Sequence, residues 1–540
     1  MGRWLRRGIP ALVMALAAPR AGDAQQGGAL AVDAASAGSE TEAYLRALQV
    51  AGRAPAYPWS ARAFSQREAA RLLPDSAHPW AARQGADGAR RAGIRLLGPG
   101  VRMVYNSAFP HGFNDGPAWS GRGMNAELRA GIAAHVGPLS LRIEPVAFWA
   151  ENRAFALLDN GETGDLAFAH GLDPRSIDLP QRFGPRAYTR VDPGESTVRL
   201  DVGGVAAGVS TAAEQWGPAV DHPLVLGTNA GGVPRVFLGT AAPVNVGVGR
   251  LHGRMMWGSL AQSGYSWTTG PGSRRFATGA VAVFTPRGAD HLELGVSRFF
   301  HLPWPEGGVG IDEFLKLLDP LEKADADSTG TGPDGRTDVA NQLASAFVRW
   351  VLPAAGVEAY AEFARDDHSW DVLDLTLEPD HASGYTLGLR KVWSRGTRLV
   401  SLRGEVMSTQ PGHLAEVRGE FPFYVHARTP QGHTLRGQVL GSAYGYGGGA
   451  GTLALDVYGP RGRWGLAWTR GRVADRADYW RTGVPDARST EVVHSLGLDG
   501  ALFAGGVQLT AALTATADLN RNFAEDAYNL GLRLGVRAGP

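Results

Sequence analysis

Residues 125–152 read NAELRAGIAAHVGPLSLRIEPVAFWAEN, and apolar residues occupy every second position up to Val136. This is the period of a β-strand whose two faces differ in polarity. After Gly137-Pro138 the alternation resumes with the opposite parity, starting at Leu139. A short turn that pairs Val136 with Leu139 places both apolar sets on one face of a hairpin. The stretch therefore predicts an antiparallel hairpin, and it leaves open whether the apolar face meets a protein core or lipid.

The same alternation recurs from about residue 100 to the C-terminus. We count roughly 16 to 18 segments, most of them near 10 residues long, as is typical of transmembrane barrels. Clear examples are residues 196–202, 291–297, 357–363, 397–407, 507–517 and 528–536. The pattern is weakest at residues 236–248. The repeated period of two predicts an all-β protein.

The connections between these segments alternate in length. Short turns are predicted at residues 137–138, 203–204, 353–356, 394–396, 459–462 and 505–506. Long excursions are predicted at residues 152–195, 213–234, 301–341, 410–433 and 473–488. Short turns at one end and long loops at the other are how outer-membrane barrels are organised.

Two further features favour lipid, rather than a protein core, outside the sheet. The polar face carries charges in strand after strand, which a wet lumen tolerates and a packed interior does not. Aromatic residues near predicted strand ends are typical of membrane-interface girdles, and they are Phe148, Trp149, Trp257, Phe299, Phe300, Trp350, Trp393, Trp464 and Trp468. We therefore expect a transmembrane antiparallel β-barrel of about 16–18 strands. A secreted β-sandwich or propeller remains the alternative.

Composition narrows the possible partners and compartments. The 540 residues include 53 basic and 52 acidic side chains, 74 Gly and no Cys. A net charge of +1 gives no field that would attract nucleic acid. Without cysteine the chain has neither disulfides nor thiolate metal sites.

The N-terminus is typical of an exported protein. Three arginines precede the apolar run of residues 8–18, and a small-x-small pattern ends at Ala24. We assign residues 1–24 to a signal peptide, with a short membrane anchor as the alternative. Residues 41–74 have a helical pattern, and Ser65 with Glu68 forms a predicted capping box for a short helix.

Motifs that carry chemistry are weak. The 14 His have no metal-ligand spacing, and residues 445–450 match a dinucleotide loop without a following helix. The loop that starts at Asp325 begins like an EF-hand, but its twelfth position is Arg336, where an acid is required. A looser calcium site with Asp334 stays open, and a solvated acidic loop is the default. We expect no enzymatic activity, no cofactor and no resident metal.

The long loops contain aromatic, arginine and amide side chains, a combination that binds sugars and their acidic groups. Seven candidates for polysaccharide binding are Arg182, Arg186, Tyr188, Trp216, Asn229, Arg436 and Gln438. Lumen lining and loop packing explain each of these residues equally well, so both readings stay open.

Several stretches resemble Wzi-type capsule assembly proteins. These stretches are YLRALQVAG, YPWSARAFS, YNSAFPHGFNDGPAWSGRGMN, RFGPRAYTR, AAGVSTAAEQWGPAVDHPLVLGTNAGGVPRVFLGT, HTLRGQVLGSAYGYGGGAGTLALDVY and ADRADYW. The resemblance implies an outer-membrane barrel of eighteen strands at residues 100–540, with long extracellular loops. It also implies a small periplasmic helical region and linker at residues 25–99.

The function implied by the resemblance is lectin-like binding of capsular or other surface polysaccharide, which assists capsule assembly or attachment. A porin-like solute channel is the alternative, because the predicted lumen is charged. The expected partners are this polysaccharide, outer-membrane lipid and the barrel assembly machinery, with no nucleic acid. We expect a monomer, because a closed barrel has no free sheet edge.

Overall fold

The computed structural model describes residues 36–74, 78–81, 92–319, 340–366, 376–412, 421–473 and 490–538. It is a closed antiparallel barrel of eighteen strands, so the predicted fold class is confirmed. In chain order the strands are β1 (Ala92–Asn106), β2 (Gly123–Val136), β3 (Leu139–Ile143 and Val146–Ala150), β4 (Tyr188–Asp192 and Thr197–Val202), β5 (Val205–Ser210), β6 (Arg235–Thr240 and Val244–Asn245), β7 (Gly249–Ala261), β8 (Arg274–Pro286), β9 (Leu292–Pro303), β10 (Asn341–Leu352), β11 (Val357–Asp366), β12 (Ser383–Arg395), β13 (Arg398–Ser408), β14 (Gly449–Gly459), β15 (Gly462–Val473), β16 (Glu491–Ala504), β17 (Val507–Arg521) and β18 (Glu525–Ala538).

The barrel closes where β18 pairs with β1, from Gly100 opposite Arg537 to Asn106 opposite Gly531. The hairpin predicted from residues 125–152 has the expected register, with Val136 opposite Leu139. Its two-residue turn is possible because Gly137 adopts a φ of 53°, which side chains disfavour. The weak pattern at residues 236–248 corresponds to β6, which is interrupted between its two parts.

The two faces of the wall are the reverse of those of a soluble β-protein. Outward side chains such as Leu128, Leu513 and Leu530 are about half exposed, with relative accessibilities of 48%, 48% and 52%. Inward charged residues such as Glu358 and Glu405 are buried, at 0% and 1%. The apolar face therefore points outward and the ionic face surrounds the lumen, as in a transmembrane barrel.

Exposed aromatic residues lie near both ends of the outer surface. Trp350, Trp393 and Trp464 lie toward the short-turn end, while Trp149 and Trp468 lie toward the other end. The remaining residues of the predicted girdles differ, because Phe148, Phe299 and Phe300 are buried and Trp257 is half-buried under a loop. Alternation identified outward positions well, but it gives no information on what covers them.

Loop lengths are strongly asymmetric, as the sequence predicts. The turns at one end contain from two to five residues, for example residues 203–204 and 505–506. At the other end eight of the nine connections are long, and the ninth, residues 522–524, is short. We call these the short-turn end and the long-loop end. The first strand, β1, begins at the short-turn end, and the last strand, β18, ends there.

The helices are short. They are α1 (Glu40–Val50), α2 (Gln66–Arg71) and α3 (Ile311–Leu315), with 3-10 turns at Gly164–Phe168, Gly270–Ser273, Lys316–Leu318 and Pro353–Ala355. The predicted capping box of α2 is present, because Ser65 and Glu68 exchange both side-chain-to-backbone hydrogen bonds. Within the described residues, none of the helices has the length and apolar character to span a bilayer.

Helices α1 and α2 lie inside the short-turn end of the barrel. Tyr44, Leu45 and Leu48 are fully buried against wall residues that include Val392 and Tyr458. The N-terminal segment therefore forms a plug, which we define as residues 36–74. The first barrel strand begins at Ala92. Residues 1–24, which contain the predicted signal peptide, lie outside the described part of the chain.

Candidate ligand-binding surface at the long-loop end

The plug is fastened to the wall by a buried carboxylate on β9. Glu293 Oε2 accepts hydrogen bonds from the backbone N–H groups of Trp59 and Ser60 at 2.9 and 3.0 Å, and from the Ser60 hydroxyl at 2.7 Å. Its other oxygen pairs with the buried Arg349. Arg46 of α1 pairs with Glu358 at 2.9 Å. Backbone donors and arginines thus compensate for the desolvation of these carboxylates.

The long loop 211–234 folds inward from the other end. Its backbone is held by Glu405 on β13, whose carboxylate accepts the N–H groups of Val220, Asp221 and His222 at 2.7, 2.9 and 2.7 Å. Two residues of this loop, Gln215–Trp216, pair as a short strand with Ala61–Arg62 of the plug. The loop and the plug therefore meet inside the lumen.

A second inserted loop, residues 421–448, packs on the first. The Tyr424 hydroxyl donates to the Leu224 carbonyl at 2.6 Å, and His433 Nε2 lies 2.6 Å from the Val225 carbonyl. Arg275 on β8 donates to the carbonyls of Gly432 and Thr434. The short hairpin Thr434–Leu435 and Gln438–Val439 lies in this loop. Its buried apolar residues join those of loop 211–234 in one core.

A cavity of about 430 Å³ remains between α1, loop 211–234 and the wall that runs from β12 through β18 to β1. Its lining is charged and includes Arg403 and Arg463, which pair with Asp221 and Asp456 respectively. The ion pairs satisfy these arginines within the protein. The cavity is therefore a polar remainder of the lumen beside the plug.

Above the inserted loops lies a cluster of aromatic rings, which we call the rim cluster and define as Trp119, Phe183, Tyr188 and Tyr265. Phe183 and Tyr188 stack with centroids 4.7 Å apart, and Trp119 meets Phe183 edge-on at 5.0 Å. Tyr265 approaches Phe183 edge-on at 6.2 Å. Trp119, Tyr188 and Tyr265 are half-buried, so part of each ring is accessible at the rim.

Arginines border the rim cluster. The Arg190 guanidinium lies 5.1 Å from the Phe148 ring centroid, and Arg436 pairs with Asp192. Nearby, Arg175 stacks on Trp267 at 4.1 Å and pairs with Glu162. Burial raises the pKa of the Asp178 carboxyl below the rim, against hydrogen bonds from Ser263 that lower it. Aromatic faces beside guanidinium donors are suited to sugar rings that carry hydroxyl or carboxylate groups.

Three of the sequence-predicted site residues belong to the rim. Tyr188 is a member of the rim cluster, and Arg186 beside it is exposed. Arg182 is buried, where it donates to the Asn152 side chain at 3.1 Å and to its carbonyl at 2.6 Å. Burial also lowers the pKa of Arg182. Arg182 therefore orders the loop that carries Phe183.

The other four predicted residues lie deeper. Trp216 is fully buried in the core of the inserted loops, where its Nε1 donates to Glu214 at 3.0 Å. Asn229 and Gln438 meet, because Gln438 Nε2 donates to the Asn229 carbonyl at 3.2 Å. Arg436 has a φ of 52° in the hairpin and pairs with the buried Asp192. These side chains bind other parts of the chain, as the loop-packing reading expects.

Sequence reasoning missed Trp119, Phe183, Tyr265 and Trp267. The available signal was an aromatic residue among Gly, Ser and Pro outside the alternating segments, as in AWSGRG and SGYSWTTG, although neither stretch was among the predicted long loops. Such residues are common in loops, and the sequence does not say which loops meet at the rim.

Among the described residues, no group of three or more His, Asp or Glu side chains is arranged to hold a metal ion. The EF-hand-like stretch at residues 325–336 lies outside the described part of the chain.

The family of this chain follows from a comparison of its sequence with known protein families. The sequence profile of the family described as capsule assembly protein Wzi matches residues 110–458, which is more than half of the chain. The chain belongs to the Wzi capsule assembly family. The matched region includes the rim cluster, both inserted loops and the Glu293 and Glu405 anchors. No curated protein sequence matches the chain.

A solved structure shares the fold of this barrel. Wzi of Escherichia coli aligns with a TM-score of 0.61 at 15% identity, covering 92% of this chain and 97% of that chain. That protein is described as an outer membrane protein involved in group 1 capsule assembly and as a carbohydrate-binding β-barrel. OccAB3 of Acinetobacter baumannii aligns with a TM-score of 0.40 at 11% identity, covering 82% and 98% of the two chains. OprD of Pseudomonas aeruginosa gives 0.38 at 10%, covering 83% and 93%.

Proposed function

We propose that this member of the Wzi family binds a surface polysaccharide at its long-loop end and thereby assists capsule assembly or attachment. The observation that carries the proposal is the rim cluster, in which three of the four rings are half-buried and which is bordered by arginines. Family membership and the description of the E. coli protein as carbohydrate-binding support it.

The proposed orientation places the barrel in an outer membrane with its long loops outside the cell. The outward apolar surface and the aromatic residues at both ends support a lipid surrounding. The short-turn end, with residues 25–99, would then face the periplasm, after export by the N-terminal signal peptide. Insertion by the barrel assembly machinery and a monomeric state complete the proposal.

The proposed recognition chemistry is non-covalent. Ring faces of Trp119 and Tyr265 would stack on the apolar faces of sugar rings, while Arg186 would donate to hydroxyl or carboxylate oxygens. Contacts on an aromatic face contribute about 1 kcal/mol each. The proposal includes no chemical transformation of the polysaccharide.

A porin-like solute channel is less well supported. Within the described residues, the plug and the two inserted loops pack as continuous cores inside the wall. An open channel would require this packed chain to leave the lumen.

Binding to polysaccharide extracted from the host surface tests the proposal. The folded full-length protein in detergent should sediment with the host polysaccharide and not with neutral dextran. The double variant Trp119→Ala, Tyr265→Ala should bind at least tenfold more weakly, because two contacts of about 1 kcal/mol are lost.

Trp464→Leu is the matched control, because Trp464 lies on the outer surface at the short-turn end. It should leave the affinity unchanged. Equal affinity of wild type and the rim double variant would refute the rim as the binding surface. Absence of binding to host polysaccharide at both low and high salt would refute the function itself.

A further inference from the structure

One part of the outer wall is covered by the protein's own chain. Directly opposed residues in an antiparallel sheet point to the same face, and one such row crosses β6 to β10 near the long-loop end. It consists of Val236, Trp257, Thr278, Phe300 and Gln342. Val236 is 53% exposed, which identifies the row as outward-facing, yet Thr278 and Phe300 are 0% exposed.

The cover is the segment of residues 304–319, which leaves β9 and turns back over the rim. The Phe314 ring of α3 stacks on Trp257 with centroids 4.3 Å apart, and Trp257 Nε1 donates to the Phe314 carbonyl at 2.9 Å. Arg298, also on the outer face, donates to the Leu317 carbonyl at 3.0 Å. Helix α3 therefore packs on the outer wall.

The segment presents an apolar surface away from the barrel. Ile311 and Leu318 are 73% and 74% exposed, and Phe314 and Leu315 are both 45% exposed. This surface continues the exposed apolar band of the wall. Trp257 lies four residues before the end of β7, which places the segment roughly 10 Å below the rim, given about 3.3 Å per residue and the tilt of the strands.

A cation stands beside this surface. The exposed Arg274 guanidinium stacks on Trp304 at 3.8 Å, and its Nε donates to Ser259 at 3.0 Å. Arg274 is not a member of the ion pairs found in the described part of the chain. Apolar side chains with an adjacent cation fit the boundary between acyl chains and anionic headgroups.

We propose that residues 311–318 form an interfacial anchor in the lipid leaflet at the long-loop end. Ile311, Leu315 and Leu318 lie among acyl chains, and Arg274 contacts anionic headgroups. The inference rests on the membrane placement of the barrel proposed above. It adds a specific lipid contact that is independent of polysaccharide binding.

Spin labels test the anchor, because the chain has no Cys and each introduced cysteine is labelled uniquely. Leu318→Cys reports on the anchor, Leu513→Cys is the reference in the apolar band, and Thr163→Cys is the aqueous reference in a long loop. The labelled proteins are placed in vesicles of phosphatidylcholine with phosphatidylglycerol. Power saturation then compares accessibility to oxygen and to a nickel chelate.

The Leu318 label should favour oxygen over the nickel chelate, at a value between those of Leu513 and Thr163. If the label at Leu318 has the same accessibility as the label at Thr163 while the label at Leu513 lies in lipid, the anchor is refuted but the membrane placement is not. If the labels at Leu318 and Leu513 both have the accessibility of an aqueous site, the membrane placement is refuted, and the anchor with it. Strong dipolar coupling between Leu318 labels of two molecules would assign the surface to a second copy and also overturn it.

The headgroup contact has its own readout. In the Leu318→Cys background, Arg274→Gln should make the label shallower in vesicles with phosphatidylglycerol and leave it unchanged in phosphatidylcholine alone. An identical depth with and without Arg274 in the anionic vesicles would overturn the headgroup contact.

Discussion

The short-turn end and the long-loop end of the lumen hold their inserted chain in different ways. At the short-turn end, α1 and α2 are sealed by buried carboxylates and arginines, with Glu293 and Glu358 as the anchors. At the long-loop end, the inserted loops are packed below, but the rim cluster above them stays half-buried. The first arrangement pairs its buried carboxylates with arginines and backbone donors of the chain, whereas the second leaves ring faces and Arg186 available. The proposed binding surface and the buried ion pairs of the plug therefore lie at opposite ends of the lumen.

The largest effect is expected from removing the anchor of the plug. Glu293→Ala leaves the N–H groups of Trp59 and Ser60 without their acceptor and removes one partner of the buried Arg349. Breaking a buried ion pair in this way costs about 3–5 kcal/mol. Unfolding can be followed in SDS gels of samples heated to increasing temperatures, in which the folded barrel migrates faster than the unfolded chain. The temperature at which the fast band disappears should be clearly lower for the variant than for the wild type.

Glu306→Ala is the matched control, because Glu306 is an exposed residue of the loop after β9. It should unfold at the wild-type temperature. If Glu293→Ala also does so, the plug is held mainly by its apolar contacts, and the contrast between the two ends loses its basis.

At the long-loop end, the strongest single effect is expected from Arg436. Arg436→Ala leaves Asp192, which is 4% exposed, without its cation, and a charged group that loses its partner costs about 1–3 kcal/mol or more. The variant should unfold at a lower temperature and lose polysaccharide binding only as far as the rim loops become disordered. A selective loss of binding at wild-type stability would instead assign Arg436 to the ligand, as the sequence suggested.

Arg436 and Arg186 illustrate which features of the structure could be predicted from the sequence and which could not. The period of two, the loop asymmetry and the capping box at Ser65 are local patterns, and each predicted its element. The positions of Trp216 inside the lumen and of α3 on the outer wall depend on contacts between segments far apart in the sequence. Arginine is equally suited to a buried ion pair and to an exposed ligand contact, so residue type alone did not separate Arg436 from Arg186.

The inserted loops are expected to weaken as the pH falls. Burial, with a smaller effect from Arg275, lowers the pKa of the His433 imidazole to about 4, against an ordinary value of 6.5. Between these values the unfolded chain binds more protons than the folded one, so this stability is complete above pH 6.5 and is lost as the pH falls through 4.

His433→Gln should reduce the drop in unfolding temperature between pH 7 and pH 5, because glutamine does not titrate. Some dependence should remain, since burial also lowers the pKa of His170 to about 4. If the unfolding temperature of the variant depends on pH as strongly as that of the wild type, protonation of His433 does not destabilise the inserted loops.

The smallest effect on stability, and the sharpest on the rim, is expected from Arg186→Gln. Its side chain is exposed, and its backbone carbonyl accepts the structural hydrogen bond from Asn152 at 2.6 Å. The free energy of unfolding should therefore change by less than about 0.5 kcal/mol.

If the polysaccharide is acidic, the affinity of the Arg186→Gln variant for it should be about 2- to 5-fold lower, as expected for a partly exposed ion pair of about 0.5–1 kcal/mol. Wild-type affinity should decrease with added salt, because screening weakens such a contact, and the variant should be less sensitive to salt. A salt dependence identical in both proteins would place the charged contact at another arginine of the rim, such as Arg190 or Arg175.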